Sequence, residues 1–465
     1  LALELLDPNR NASPKPNPKW KEVHTGLVGF SAVMPVLATN PDIELPRFIA
    51  PFIAFLQRIL GVGDALPPDY AHPRVRYAAL VAIQILSIEF APAFQDRHHA
   101  VMVPLLLRQF TAGDGNVLSS QAGVSLGYFV ESCPATVLET YADAVVGVSL
   151  EGLGLALNAG LGAAGLGLAV LEAAVRTVEA VANGLGAGFA RFHGAALPAL
   201  TAVVQAASLN PGLGDLCYAA LEAATTLLEK ALLSAQALGG GDAAAVRDQA
   251  GALVGAVLQS GAGNLDLSDG EARVRTRGSV ARLADVLGPA FAAHAPPFLP
   301  TLLTDLAQHP AVDQATLERL ETRGYDEEVD EDLLIIEEAG GRTLVLQDSV
   351  LRDISRVLFC LVSVGASCPP ALRPYARDVL ARVFTLLSAN SNAGAAPNPG
   401  AFEGADAAAN ANPHPDVRYC ALKLLPLLPP CVEDGSVLAR QSLRFPEPLS
   451  PNPYPSPKPK PKPKP

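Results

Sequence analysis

The stretch His72–Leu80, HPRVRYAAL, returns at His414–Leu422 as HPDVRYCAL. The apolar positions that follow each copy also keep step. Val75, Ala79, Ala82, Ile83 and Leu86 stand at the same offsets as Val417, Ala421, Leu424, Leu425 and Leu428. Those offsets trace one face of an α-helix. A proline at the head of each copy suits the first helical turn, where its missing N–H would have no partner anyway. One helical unit stamped out many times, with drifted copies in between, explains two matches so far apart. Such a unit buries its apolar face only by stacking on its neighbours, so the expected fold is an all-α solenoid.

Composition agrees with many short packed helices. Hydrophobic residues make up 49% and charged residues 17%, while Pro 41 and Gly 39 supply frequent turns. The net charge of −12 argues against nucleic acid as the main ligand, because phosphate binding needs a basic face. It suits a basic protein partner. The six cysteines Cys133, Cys217, Cys360, Cys368, Cys420 and Cys431 form no CxxC pair and have no histidine at zinc spacing. They read as small buried residues of a reducing compartment, with no metal or cofactor expected.

Taken in order, residues 1–18 form a Pro-rich lead-in and 19–309 carry helical repeats. Residues 310–346 form an acidic insertion. Repeats resume over 347–432, with an Ala/Asn/Gly/Pro stretch at 391–413 expected to be disordered, and 433–465 is a Pro/Lys-rich disordered tail. Each helix of the Val-Arg type is expected to pair with the helix after it. A weaker copy, ARVRTRGSVARLADVL, puts Val274-Arg275 in the Val-Arg position. About eight two-helix units result, each near HEAT length, so the expected architecture is an armadillo-like right-handed superhelix. No alternating pattern marks a strand. Gly152–Leu171 is uncharged for about 20 residues, enough to cross a bilayer. Its many glycines and the lack of aromatic or Lys/Arg flanks favour a weakly specified helix pair, and no membrane insertion is expected.

Several blocks together resemble the middle of the importin beta superfamily, in the class called Ran-binding protein five in animals. They are WKEVHTGLVGFSAV, HPRVRYAALVAI followed by EFAPAFQ, LGYFVESCP and VLEAAVRTVEAVA, and they occur in the family's order. The resemblance spans residues 17–432. It implies a nuclear import receptor moving between cytoplasm and nucleus, which binds cargo on a concave HEAT surface and releases it to Ran-GTP. In the intact protein it implies the Ran GTPase and Phe-Gly nucleoporins as partners, with the repeats that carry most Ran contact lying outside this sequence. Departures are Val23 at a usual repeat Arg, Tyr128 at a usual Asn, and Leu333 or Leu334 at a usual aromatic; Glu131 is kept.

Candidate residues fall into three groups. Glu131, Glu172, Glu179, Glu222 and Glu229 are expected on inner helices, and the pairs Glu172/Glu179 and Glu222/Glu229 each share a face. They form a candidate acidic ladder for a basic import signal, against the alternative of an ordinary solvated face. Asp326, Glu327, Glu328, Asp330, Glu331, Asp332, Glu337 and Glu338 form an acidic run with no base. It would attract a Lys/Arg-rich partner, or stand as a solvated loop. Arg76, Arg275 and Arg418 occupy the repeat Arg position, where structural contacts between packed helices are preferred to cargo contact. Phe48, Phe52 and Phe55 read as core. No P-loop, HExxH or GxSxG occurs and His98-His99 is isolated, so no enzyme is expected. The rival function is a HEAT scaffold unrelated to transport.

Overall fold

The structure, a computed structural model, describes residues 20–39, 45–61, 72–111, 117–161, 167–237, 243–260, 270–307, 312, 314–323, 332–337, 343–388, 402–403 and 415–428. The lead-in 1–18, the tail 433–465 and most of 391–413 lie outside them.

The helices alternate between two rows. The inner row contains α1 (Trp20–Ala38), α3 (Pro73–Glu89), α5 (Val117–Glu131) and α7 (Leu168–Leu185). It continues through α9 (Gly214–Ala237), α11 (Gly270–Leu287), α14 (Asp348–Ser367) and α16 (Pro415–Leu424). Each packs along the next. The outer row contains α2 (Leu45–Ile59), α4 (Ala93–Thr111), α6 (Ala135–Ala159) and α8 (His193–Ala207). Its last members are α10 (Ala243–Ser260), α12 (Ala295–Leu306) and α15 (Ala376–Ser388). Successive inner helices approach one another more closely than successive outer ones. In a curved two-layer stack the tighter layer lies on the concave side.

Within a unit α4 packs on α5, α6 on α7 and α8 on α9. In these units a repeat opens with its outer helix and closes with its inner one, which corrects the pairing expected from the sequence, whereas α10 packs on both α9 and α11. Periodicity marks each apolar face but does not say which neighbour covers it.

The recurring motif builds the head of an inner helix. His72 accepts a hydrogen bond from the Arg74 N–H at 3.3 Å through Nδ1, and Pro73 opens α3. Trp20 of α1 stacks on the His72 ring at 3.8 Å. Val75, Ala79, Ile83 and Leu86 are fully buried, as are Val417, Ala421, Leu424 and Leu428 in the second copy. One apolar core runs between the rows from Val23 to Leu428 and includes Phe52 and Phe55, as expected for that stripe.

The apolar stretch after Leu150 resolves simply. α6 runs on to Ala159 and stops at Gly160, whose φ of 84° is open to glycine at little cost. The next inner helix, α7, starts at Leu168. Ala135–Ala159 and Leu168–Ala207 are long and apolar enough to cross a bilayer by length and composition. Here both stand within the rows, α7 wedged between α5 and α9.

Strands are the main departure from expectation. After α13 (Gln314–Arg323), β1 (Leu333–Glu337) pairs antiparallel with β2 (Thr343–Gln347), and β3 (Phe402–Glu403) pairs parallel with β2. Val345 joins Val312, Leu317 and Leu320 in a small separate core, with Leu333 and Ile335 against it. β1 reads LLIIE, four apolar residues in a row without alternation, and β3 is only two residues long, so no period-two pattern registers.

Candidate functional site: an acidic hollow on the inner row

Small residues let α5 and α7 come together. A Cβ at Gly123 would lie 2.8 Å from the Ala173 Cβ and 2.8 Å from the Phe110 ring. One turn on, a Cβ at Gly127 would meet Thr177 Oγ1 at 3.7 Å, an ordinary contact. Above this floor a hollow of about 390 Å³ opens. Tyr128 and Glu131 line it from α5, and Arg176, Glu179 and Asn183 line it from α7. Glu131 is exposed, and Tyr128 presents 39% of its surface. Two carboxylates from separate stretches of sequence thus share one concavity with an aromatic ring.

A network continues from the hollow across α9 to α11. Thr226 Oγ1 donates to Glu179 Oε1 at 3.0 Å. Arg282 Nη2 donates to Thr226 Oγ1 at 3.0 Å. The Arg282 guanidinium also grips Glu229 with two bonds, Nε to Oε1 at 2.9 Å and Nη2 to Oε2 at 2.6 Å. This fork-on-fork geometry is the strong form of an ion pair. Burial pushes the Glu179 carboxyl above its ordinary range; the Thr226 bond opposes this and the Glu222 charge reinforces it. Burial and the neighbouring Asp215 likewise raise Glu172, with Arg176 opposing. The hydrogen bonds that Arg282 donates to Glu229 raise its pKa and hold it firmly protonated.

The five ladder residues therefore part company. Glu131 and Glu179 meet in the hollow, Glu172 sits half-buried beside it, and Glu222 is exposed within electrostatic reach of Glu179 and Arg282. Glu229 is neutralised from within the chain. Sequence reasoning missed Arg176 and Arg282, which lace the acids. The seven-residue spacing of Arg275 and Arg282, the same spacing that paired the glutamates, was the available signal.

Of the repeat arginines, Arg76 turns between the rows and donates to Gln109 Oε1, while Gln109 Nε2 donates to the Leu60 carbonyl at 2.9 Å. Arg275 is exposed and Arg418 half-buried. Within the acidic run, Asp332 caps α14 from outside that helix. Its carboxylate accepts from the Ser349 N–H at 2.8 Å and from Ser349 Oγ at 2.7 Å. Glu337 ends β1. Asp326, Glu327, Glu328, Asp330, Glu331 and Glu338 lie outside the described residues. His99 Nδ1 meets the Tyr141 hydroxyl at 3.0 Å across the outer row. Cys133, Cys217, Cys360, Cys368 and Cys420 are buried free thiols, and burial pushes Cys360 up to about 12. Among the described residues, no group of three His, Cys, Asp or Glu side chains could hold a metal ion.

No protein-family model matches the sequence. Among solved structures, Kap121p bound to RanGTP superposes with a TM-score of 0.61 at 19% identity, over 95% of this chain and 35% of that one. Kap121p bound to Pho4p gives 0.58 at 19%, over 95% and 36%. The karyopherin Kap121p bound to the extreme C-terminus of the phosphatase Cdc14p gives 0.58 at 20%, over 92% and 34%. This chain spans about a third of the length of those proteins. At such identities the likeness establishes the fold, a HEAT-repeat solenoid.

Proposed function

We propose that this chain is the cargo-binding part of a nuclear import receptor and works by binding, without catalysis. The hollow between α5 and α7 carries the reading. An import signal's lysine or arginine would lie between Glu131 and Glu179, with its stem or charge against the Tyr128 ring. Each carboxylate would make a charge-assisted hydrogen bond, and the ring would add a cation–π contact. Glu172 and Glu222 would extend the negative field along the inner row. The acidic run 326–338 would raise the capture rate of a basic guest.

The neighbours support this reading. Kap121p has been solved with the protein partners Pho4p and Ste12p and with RanGTP, and as a variant with three acidic residues exchanged for lysine. By extension we place Ran-GTP-driven release, Phe-Gly nucleoporin contact and shuttling between cytoplasm and nucleus with the intact protein. A superhelix in which each repeat touches only its neighbours adds small shifts along its length, a route from Ran binding to a looser hollow.

Fluorescence anisotropy with a Lys-rich peptide tests the site. Hydrogen bonds to charged groups contribute about 1.5–3 kcal/mol, so Glu131→Gln and Glu179→Gln should each weaken binding about tenfold or more. Unchanged affinity in both variants rules the hollow out as the cargo site.

A further inference from the structure

Lysine is spread unevenly through this chain. Between residues 22 and 457 it occurs only as Lys230 and Lys423, whereas Lys458, Lys460, Lys462 and Lys464 alternate with proline over 456–465, SPKPKPKPKP. That run lies outside the described residues and contains no acid. The hollow matches it group for group. Tyr128, 39% exposed, offers a ring face to a proline, as aromatic grooves do to polyproline segments. Glu131 and Glu179 accept from a lysine ammonium. Arg176 and Asn183, which also line the hollow, are donors for carbonyl oxygens. A polyproline II segment leaves all its carbonyls free, because it makes no hydrogen bonds of its own.

Reach separates the lysines that arrive from those that do not. Inner helices stand about 10 Å apart, so the hollow lies about 45 Å along the row from α16. About 30 residues join Leu428 to Lys458, enough to span about 90 Å when extended. From α1 the hollow is about 25 Å away, while Lys15 stands within only about 17 Å of Trp20 along the chain.

We propose that the run 456–465 occupies the hollow of its own chain, with one lysine between Glu131 and Glu179 and a neighbouring proline on Tyr128, and that a guest must displace it. This rests on the hollow as the cargo site and adds an intramolecular competitor. Proline has no N–H, so the run binds through lysine charge and ring contact, without the backbone donors of an ordinary signal. Tethering offsets that weakness, because a linker of this length gives an effective concentration on the order of 1 mM. Against an intrinsic dissociation constant of about 0.3 mM, guest affinity falls about fourfold.

Anisotropy with a fluorescent Lys-rich peptide compares the unaltered chain with one carrying Lys458→Ser, Lys460→Ser, Lys462→Ser and Lys464→Ser. The substituted chain should bind about threefold tighter or more, and free SPKPKPKPKP peptide added at about 1 mM should restore the weaker affinity. On a background of Glu131→Gln with Glu179→Gln, the four serines should change nothing. Carbodiimide coupling and peptide mapping of the unaltered chain should join a lysine of the run to Glu131 or Glu179. In a mixture of isotopically light and heavy chains, those links should stay within one chain. Links to 326–338 instead, or between chains, overturn the proposal, the latter by assigning the run to a second copy. Guest binding that depends on Glu131 and Glu179 but not on the four lysines overturns this inference alone. Guest binding indifferent to both glutamates overturns the hollow and this inference with it.

Discussion

At the scale of single residues, Glu179 shows the tension in a binding carboxylate. It is partly buried, lies near Glu222, and is held by only one described hydrogen bond, from Thr226. A carboxyl whose pKa is higher in the folded chain than in the unfolded one favours folding fully below the ordinary carboxylate range. That contribution is lost as pH rises through its folded pKa. Glu179 therefore costs stability at neutral pH. Glu179→Gln should melt above the unaltered chain at pH 7, with the gap closing as pH falls below the usual carboxylate range. A melting series over pH measures it, and a gap that widens on acidification contradicts the assignment. Arg76 shows the opposite case, a charged side chain engaged in structure. Arg76→Ala leaves Gln109 Oε1 without its donor in a buried place, and should cost about 1–3 kcal/mol in denaturant unfolding.

At the scale of elements, two glycines separate close approach from mere helix propensity. Gly123→Ala puts a methyl 2.8 Å from Ala173 and Phe110, and should destabilise by about 1–3 kcal/mol while prising α5 from α7 under the hollow. Gly147 lies inside α6 with open space around its Cβ position, so Gly147→Ala should stabilise by up to about 1 kcal/mol. Peptide affinity should fall with the first and hold with the second. What the sequence made legible follows the same division. Apolar offsets located the inner and outer helices, because burial on one face of a helix leaves a periodic trace. They did not reveal which helices pair, because a periodic trace marks the buried face without naming the neighbour that covers it. Glu179 was legible as the i, i+7 partner of Glu172, and Glu131 by its place in LGYFVESCP, whereas their meeting depends on the close approach at Gly123, whose role is steric and leaves no chemical signature. Asp332, read as one acid among eight, instead serves α14: it satisfies the first-turn Ser349 N–H, 17 residues further along the chain. Replacing Asp332 with Ala should cost about 0.5–2 kcal/mol, the usual loss of a helix cap.

At the scale of the whole molecule, the stack is quasi-one-dimensional: inner helices touch their inner neighbours and the outer helices next to them in sequence. Stability in such an array is a chain of local terms, so damage at one end should stay there. Leu424 of α16 is fully buried at the far end of the core from Gly123. Leu424→Ala should cost about 2–5 kcal/mol locally, a large-to-small change in a packed core. Hydrogen exchange should then show faster opening in α14, α15 and α16, with α3, α5 and α7 protected as before. The affinity of the hollow for a basic peptide should be unchanged. Long arrays also depart from all-or-none unfolding, so the melt should divide, with only the later-repeat phase moved. A uniform loss of protection along the chain would mean that the rows unfold as one block. In that case a local shift driven at a distant repeat could not loosen the hollow without unfolding the whole, and the release mechanism proposed for it would have to be replaced.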